Sequence, residues 1–314
     1  MKAIKISMMV AMSILLLTAG CKKDNNATVA SPDNYANLSA FYASNGVALQ
    51  HYTVDAAAGG NFTSPQGTVV TVAPNSFLTQ SGGAVTGSVD IYFKDIYKKS
   101  DMLMSLVPTM SYWGAPIKSG GEFYIKASQG GTALILTGAK PIVVQQPLNG
   151  KPLDAAMAPM VMVVDSPGQT GIVWAINGTD TLRETPSNYV FSMFNFQYPV
   201  DSGSWCNSDN PNYFSGYTQC TITITETDTT EFGTGVFLVF SGLNSMVHVY
   251  QGGTNFPYRY APAGLQCTVV AVATLGGKLY ASFTPITISN NLNVNFHLSL
   301  TTTAAFKSTL QQLD

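Results

Sequence analysis

A chain of 314 residues with 15 Lys and Arg against 17 Asp and Glu carries a formal net charge of −2, and charged residues make up only 10% of it. That lies far under the ~25% of typical soluble domains, and without a basic patch it argues against nucleic acid as a partner. The length allows two domains of ordinary size, each able to bury its own core.

At the N-terminus, Lys2 and Lys5 precede an apolar run from Met8 to Leu17, and Leu17-Thr18-Ala19-Gly20 leads into Cys21. This is the layout of a secretory signal, with small residues before the cut. The run is too short to span ~30 Å of hydrocarbon as a permanent helix. Leu17-x-Ala19-Gly20-Cys21 resembles the bacterial lipobox. The resemblance implies a signal peptide over 1–20, cleavage before Cys21 and lipid on its thiol; the alternative is an ordinary signal peptide with a cysteine after it. One acyl chain, at ~0.8 kcal/mol per buried CH₂, binds marginally, whereas two or three hold stably. The membrane is then a partner through the anchor.

Residues 21–46 read as the tether. Positions 22–34 are polar and aperiodic, and Tyr35, Leu38, Phe41 and Tyr42 follow at the spacing of a short helix. Lys22, Lys23 and Asp24 come directly after the cysteine. In Bacteroidota-type lipoproteins a short charged tract there, usually richer in acids, directs the protein to the cell surface. The expected location is the outer membrane, at its periplasmic face or at the cell surface.

From Gln50 onward, short runs rich in Val, Ile, Thr and aromatics alternate with Gly, Pro and Asn at intervals near ten, as in GSVDIYFKDI, GGEFYIKAS and PIVVQQP. A second block starts near Gly171 with GIVWAIN, CTITITET, GVFLVFSG and LQCTVVAVATLGGKLYASFTPITI. The pattern predicts an all-β protein of two antiparallel β-sandwiches, over 47–150 and 171–314, folding separately about a joint within 148–171. Leu275-Gly276-Gly277-Lys278 predicts a hairpin turn. Phe306, Leu310 and Leu313 stand at i, i+4 and i+7, which predicts a short C-terminal helix with Thr303 as N-cap.

The stretch Gly59-Gly60-Asn61-Phe62-Thr63, followed by Gly67 through Val72 and Ala73-Pro74-Asn75-Ser76-Phe77, resembles the opening of the sandwich domain shared by tight-junction proteins, ankyrins and netrin receptors. Lys99-Ser100-Asp101-Met102, Ser119-Gly120-Gly121-Glu122-Phe123 and Phe196 through Cys206-Asn207 are similar to uncharacterised Bacteroidota-type lipoproteins that pair this sandwich with a second β domain. The resemblance implies a fold and no activity. The glycine pairs 59/60, 82/83 and 120/121 suit turns beside strands. Glu122 reads as a solvent-facing strand residue, a buried carboxylate being the alternative.

Few residues suggest chemistry. His51, His248 and His297 lack metal-site spacing, and with no Cys-x-x-Cys no metal or cofactor is expected. Asp201, Asn207, Asp209 and Asn210 read as a turn rich in oxygen ligands that matches no calcium loop. His297-Leu298-Ser299 resembles the cleavage site of self-cleaving sandwich domains, but the favoured reading is an alternating strand with Phe296, Leu298 and Leu300 facing one way. Cys206 and Cys220 could close a loop as a disulfide, buried free thiols being the slightly favoured reading. Tyr112-Trp113 lies in one Gly/Pro loop, and Trp205, Tyr213, Phe214 and Tyr217 cluster in another. Such rings plug sandwich ends or, when exposed, stack on sugar rings or a partner surface. Tyr112, Trp113, Trp205 and Tyr213 are the candidate binding aromatics. The expected role is binding or scaffolding rather than catalysis, with an envelope glycan or protein as partner, or else a glycan hydrolase.

Overall fold

β-Branched and aromatic residues favour a pleated, half-buried surface, and the runs that carry them form strands throughout the computed structural model. It describes residues 33–164, 172–197, 203–228, 233–252 and 255–314. The signal segment, Cys21 and Asp201 lie outside these.

Four larger sheets account for most strands. The first runs, in spatial order, through Gln50–Asp55, Ser88–Ile96, Lys118–Gln129, Ser204–Asn210, Ala158–Val164 and Ile172–Ile176, with Thr132–Ala133 as a short appendage. The second runs through Thr181–Glu184, Asn188–Met193, Ile142–Pro147, Val69–Val72 and Gly60–Thr63. Their facing sides share one core, built around Phe93, Phe123, Ile125, Ile142 and Phe191. The third sheet comprises Asn255–Pro262, Gln219–Glu226 and Leu292–Phe296. The fourth runs through Met246–Val249, Gly233–Phe240, Gln266–Leu275, Lys278–Thr287 and Ser299–Thr301. Ile222, Ile224 and Phe256 of the third sheet pack on Val236, Leu238 and Val269 of the fourth. The all-β sandwich expectation therefore holds, with one departure: Gln219–Glu226 pairs in parallel with Leu292–Phe296.

The division between the sheets corrects the expected joint. Ala158–Val164 pairs with Ser204–Asn210, which pairs with Lys118–Gln129, and Asn188–Met193 pairs with Ile142–Pro147. Strands on both sides of 148–171 thus build the same two sheets, and the chain enters the second sandwich only after Asn210. The reason is edge satisfaction. Without those strands the Lys118–Gln129 and Ile142–Pro147 edges would carry open rows of backbone donors and acceptors.

Three helices cover the outer face of the fourth sheet. Helix α1 (Leu38–Asn45) is capped by the Asn37 side chain, which accepts from Ala40 N at 2.9 Å. Helix α2 (Lys99–Ser105) has no counterpart in the sequence reading, and its seven residues are too few to show a period. Helix α3 (Thr303–Gln311) buries Phe306 and Leu310 as expected, but its cap is Thr302, one residue earlier, accepting from Ala305 N at 3.2 Å. Phe41, Met102, Phe306 and Leu310 pack with Phe237, Val239, Val270 and Val272, the residues alternating with those that face the third sheet. The first sheet adds Ile96, Met160 and Trp174 to this cluster. The Leu275–Lys278 hairpin closes through Gly276 (φ 57°) and Gly277 (φ 79°), the positive pair a tight two-residue turn requires.

Because the helices, the fourth sheet and the first sheet share one core, unfolding is expected to be a single transition, coincident by tryptophan fluorescence and far-ultraviolet circular dichroism. Phe237→Ala, emptying a fully buried position, should destabilise the whole by about 3–5 kcal/mol. Two resolved transitions in urea, only one of them shifted by the substitution, would contradict this.

Candidate functional site

The loop carrying Tyr112 and Trp113 is held rigidly from beneath. Pro108 O accepts from the indole of Trp174 at 2.8 Å. Trp174 N donates to Met110 O and Tyr112 N to Trp174 O, both at 2.9 Å. The turn then closes as Gly114 N donates to Ser111 O and Ser111 N to Ala115 O, both at 2.8 Å. Gly114 takes φ +84°, and a Cβ there would come within 3.3 Å of the Tyr260 ring, so glycine lets the two segments approach. Tyr258 Oη donates to Gly114 O at 3.0 Å.

The turn presents Tyr112 and Trp113 edge to face, with centroids 5.1 Å apart and planes at 77°. They remain 42% and 75% exposed, and Tyr260 opposite them 41%. Together with Arg259, His248 and Tyr250 they line a cleft of about 340 Å³. His248 stacks on Phe237 at 4.7 Å and leans on Tyr250 at 4.5 Å. Burial pushes its imidazole down to about 4, so it is neutral at physiological pH. No Asp or Glu lines the cleft among the described residues. The cleft offers ring faces, one guanidinium and neutral hydroxyls, a chemistry for stacking and hydrogen bonding.

The four candidate aromatics do not converge. Tyr112 and Trp113 form the cleft, whereas Trp205 lies on the strand Ser204–Asn210, packed edge-on to Tyr124 at 5.4 Å beneath Lys94 at 5.0 Å. Tyr213 sits under Lys118 at 4.8 Å in a different cavity, beside the buried Phe214. Sequence reading missed Tyr258, Arg259 and Tyr260. Simple alternation does not reveal them, since a register shift between Tyr258 and Ala261 leaves Tyr258 buried and Tyr260 exposed.

Asn207, Asp209 and Asn210 belong to a strand rather than to the expected turn, and Glu122 is fully buried rather than solvent-facing. Strand Ser204–Asn210 meets Lys118–Gln129 with a bulge between Asn207 and Asp209, opposite Gly120-Gly121. A Cβ on Gly121 would fall 2.3 Å from the Tyr97 ring. Glycine there admits the ring, which is why this pair lies within a strand and not in a turn. Ser119 Oγ donates to Asn207 Oδ1 at 2.9 Å, and Ser208 Oγ to Gln146 Oε1 at 2.5 Å. Glu122 Oε2 and both carboxyl oxygens of Asp209 are buried without a hydrogen-bond partner. Burial first, and for Glu122 the neighbouring Asp209 second, hold both groups well above the usual carboxylate range. Sealed from solvent, this pair is closed to substrate.

Cys206, Cys220 and Cys267 are buried free thiols. The proposed partners Cys206 and Cys220 lie in different cores, so the fold does not join them. His297 Nδ1 pairs with Asp228 Oδ1, and Asp228 Oδ2 accepts from Leu298 N at 2.9 Å. No hydrogen bond links His297 to Ser299 among the described residues. Phe296 and Leu298 are buried, whereas Leu300 is exposed. Among the described residues no His, Cys, Asp and Glu group of three or more could hold a metal ion, and no helix is long and apolar enough to cross a membrane. The sequence matches no protein-family model and no curated protein at significant similarity.

The buried carboxyls set a pH dependence. Each holds its proton more tightly folded than unfolded, so its stabilising contribution is complete below the unfolded value near 4 and is lost as pH rises toward the folded value. The loss runs at up to about 1.4 kcal/mol per pH unit per group in that window. Glu122→Gln, which needs no proton, should therefore gain stability relative to the parent as pH rises from about 4 to 8. Urea denaturation across that range tests it; a constant difference at every pH would refute the assignment.

Proposed function

We propose that the protein is a non-enzymatic binding lipoprotein of the cell envelope, anchored through lipid on Cys21, that holds neutral glycan in the cleft around Trp113. The observation that carries the binding role is the exposed Tyr112–Trp113 pair, on a loop pinned by backbone hydrogen bonds and lining one cleft with Tyr260. Flat rings bury the C–H faces of a sugar, and Arg259 and the tyrosine hydroxyls supply hydrogen bonds to its hydroxyls. A glycan hydrolase needs two carboxyls about 5–9.5 Å apart flanking the scissile bond, and the described lining of this cleft contributes none. The Leu17-x-Ala19-Gly20-Cys21 motif supports the anchor, and the charged Lys22-Lys23-Asp24 tract after it supports an outer-membrane location, at the periplasmic face or the cell surface.

On a glycan array followed by titration calorimetry, Trp113→Ala should weaken retention of the bound glycan at least about tenfold, or 1.4 kcal/mol. Trp205→Ala, on a separate surface, should leave it unchanged. Glycan binding that survives Trp113→Ala and Tyr260→Ala together would move the site elsewhere, and binding of a protein but of no glycan would favour a scaffold.

Cys21→Ser should move the protein from the membrane fraction to the soluble fraction or stall it as a precursor. A mature mutant protein that still requires detergent would disprove the anchor. Protease added to intact cells then distinguishes the two faces, since a surface-exposed chain is digested and a periplasmic one is protected.

A further inference from the structure

A second cavity, of about 440 Å³, lies away from the aromatic cleft and is lined by Lys99, Lys118 and Lys151. The chain has only 15 lysines and arginines in 314 residues, so three on one cavity is a marked concentration of positive charge. Lys99, the first residue of α2, is only 3% exposed. Its ammonium donates to Phe240 O at 2.7 Å, and that of Lys151 to Tyr97 O at 3.1 Å. An ammonium has three N–H donors, so each keeps donors unspent. Neither has a carboxylate within 4.0 Å among the described residues.

The carboxylate of Asp314 also lines the cavity, beyond 4.0 Å of the Lys99 and Lys151 ammoniums. Asp314 accepts from Ser100 N at 2.9 Å and from Ser100 Oγ at 2.8 Å. Asp154 is bound to Lys118 at 2.8 Å. Burial would raise the Asp154 carboxyl, yet the Lys118 ammonium and the Ala156 N–H hold it below its usual value. Burial pushes Lys99 down to about 8 and also lowers Lys151, each partly restored by the charge of Asp314. Lys99 is buried whereas Lys151 is exposed, so it is the Lys99 ammonium, with donors unspent, that is costly unless it is paired. An anion in the cavity would supply the pair, while Leu148, Met157 and the rings of Tyr189 and Tyr213 offer it apolar walls.

We propose that this cavity binds a compact organic anion, a carboxylate or phosphate monoester on a body of monosaccharide size, with Lys99 and Lys151 holding the charged group. The site is independent of the aromatic cleft. Titration calorimetry on the detergent-solubilised full chain tests it, with glucuronate, glucose 6-phosphate and glucose as probes. Glucuronate, glucose 6-phosphate or both should bind, and glucose should not bind at this site. Lys99→Met and Lys151→Met should each weaken binding at least about tenfold, while Lys140→Met, which removes a surface ammonium bound to Pro74 O, should not. If Lys99→Met fails to fold, Lys151→Met carries the test. Absence of binding by both anions up to about 10 mM, or binding undiminished by Lys151→Met, would overturn the proposal.

Discussion

The fourth sheet is apolar on both faces, and the rest of the molecule is arranged around that constraint. Val236, Leu238, Val269 and Ala271 point to the third sheet, while Phe237, Val239, Val270 and Val272 point the other way. A half-buried antiparallel strand needs only one apolar face, so a strand such as Gly233–Phe240, almost wholly apolar, requires cover on both. The third sheet supplies one cover. Three short helices and the edge of the first sheet supply the other, which turns a docking surface into a core. None of the helices among the described residues exceeds nine residues, a length marginal in isolation. They persist because Phe41, Met102, Phe306 and Leu310 are buried on the sheet.

The same constraint builds both cavities. Trp174, drawn into the shared core, fixes through its indole and backbone the loop that exposes Tyr112 and Trp113. Helix α2, drawn onto the same sheet, carries Lys99 to the second cavity. Each group is thus held by an element that the shared core fixes, which reduces the ordering cost of binding.

Strands, the Gly276-Gly277 hairpin and α3 were legible in the sequence because their signals are local: alternation, a glycine pair and an i, i+4, i+7 spacing. The assignment of strands to sheets was not, since Ala158–Val164 and Ser204–Asn210 find their partners across long separations. Ser204–Asn210 was unreadable for a second reason. Its Asn and Ser residues have the composition of a turn, yet Ser119 and Gln146 satisfy them inside the structure. Glu122 misleads in the same way, because only the bulge opposite Gly120-Gly121 shows that it points inward. Of the site, Tyr112 and Trp113 were legible from composition, but their partners Tyr258, Arg259 and Tyr260 come from a distant strand. The clustering of Lys99, Lys118 and Lys151 has no sequence signature, since three elements must meet to produce it.

The three thiols give the fold built-in probes of its own opening. Cys206 lies in the core of the first sandwich, beside Met193 at 3.8 Å, whereas Cys220 and Cys267 lie in the second. Burial raises the Cys206 thiol well above its usual value and pushes Cys267 up to about 12, so neither reacts as thiolate while enclosed. A thiol reagent in solution must therefore wait for each core to open, and the rate at which each cysteine is labelled reports the opening of its own sandwich. With no engineered cysteine, the molecule thus separates the breathing of one half from that of the other.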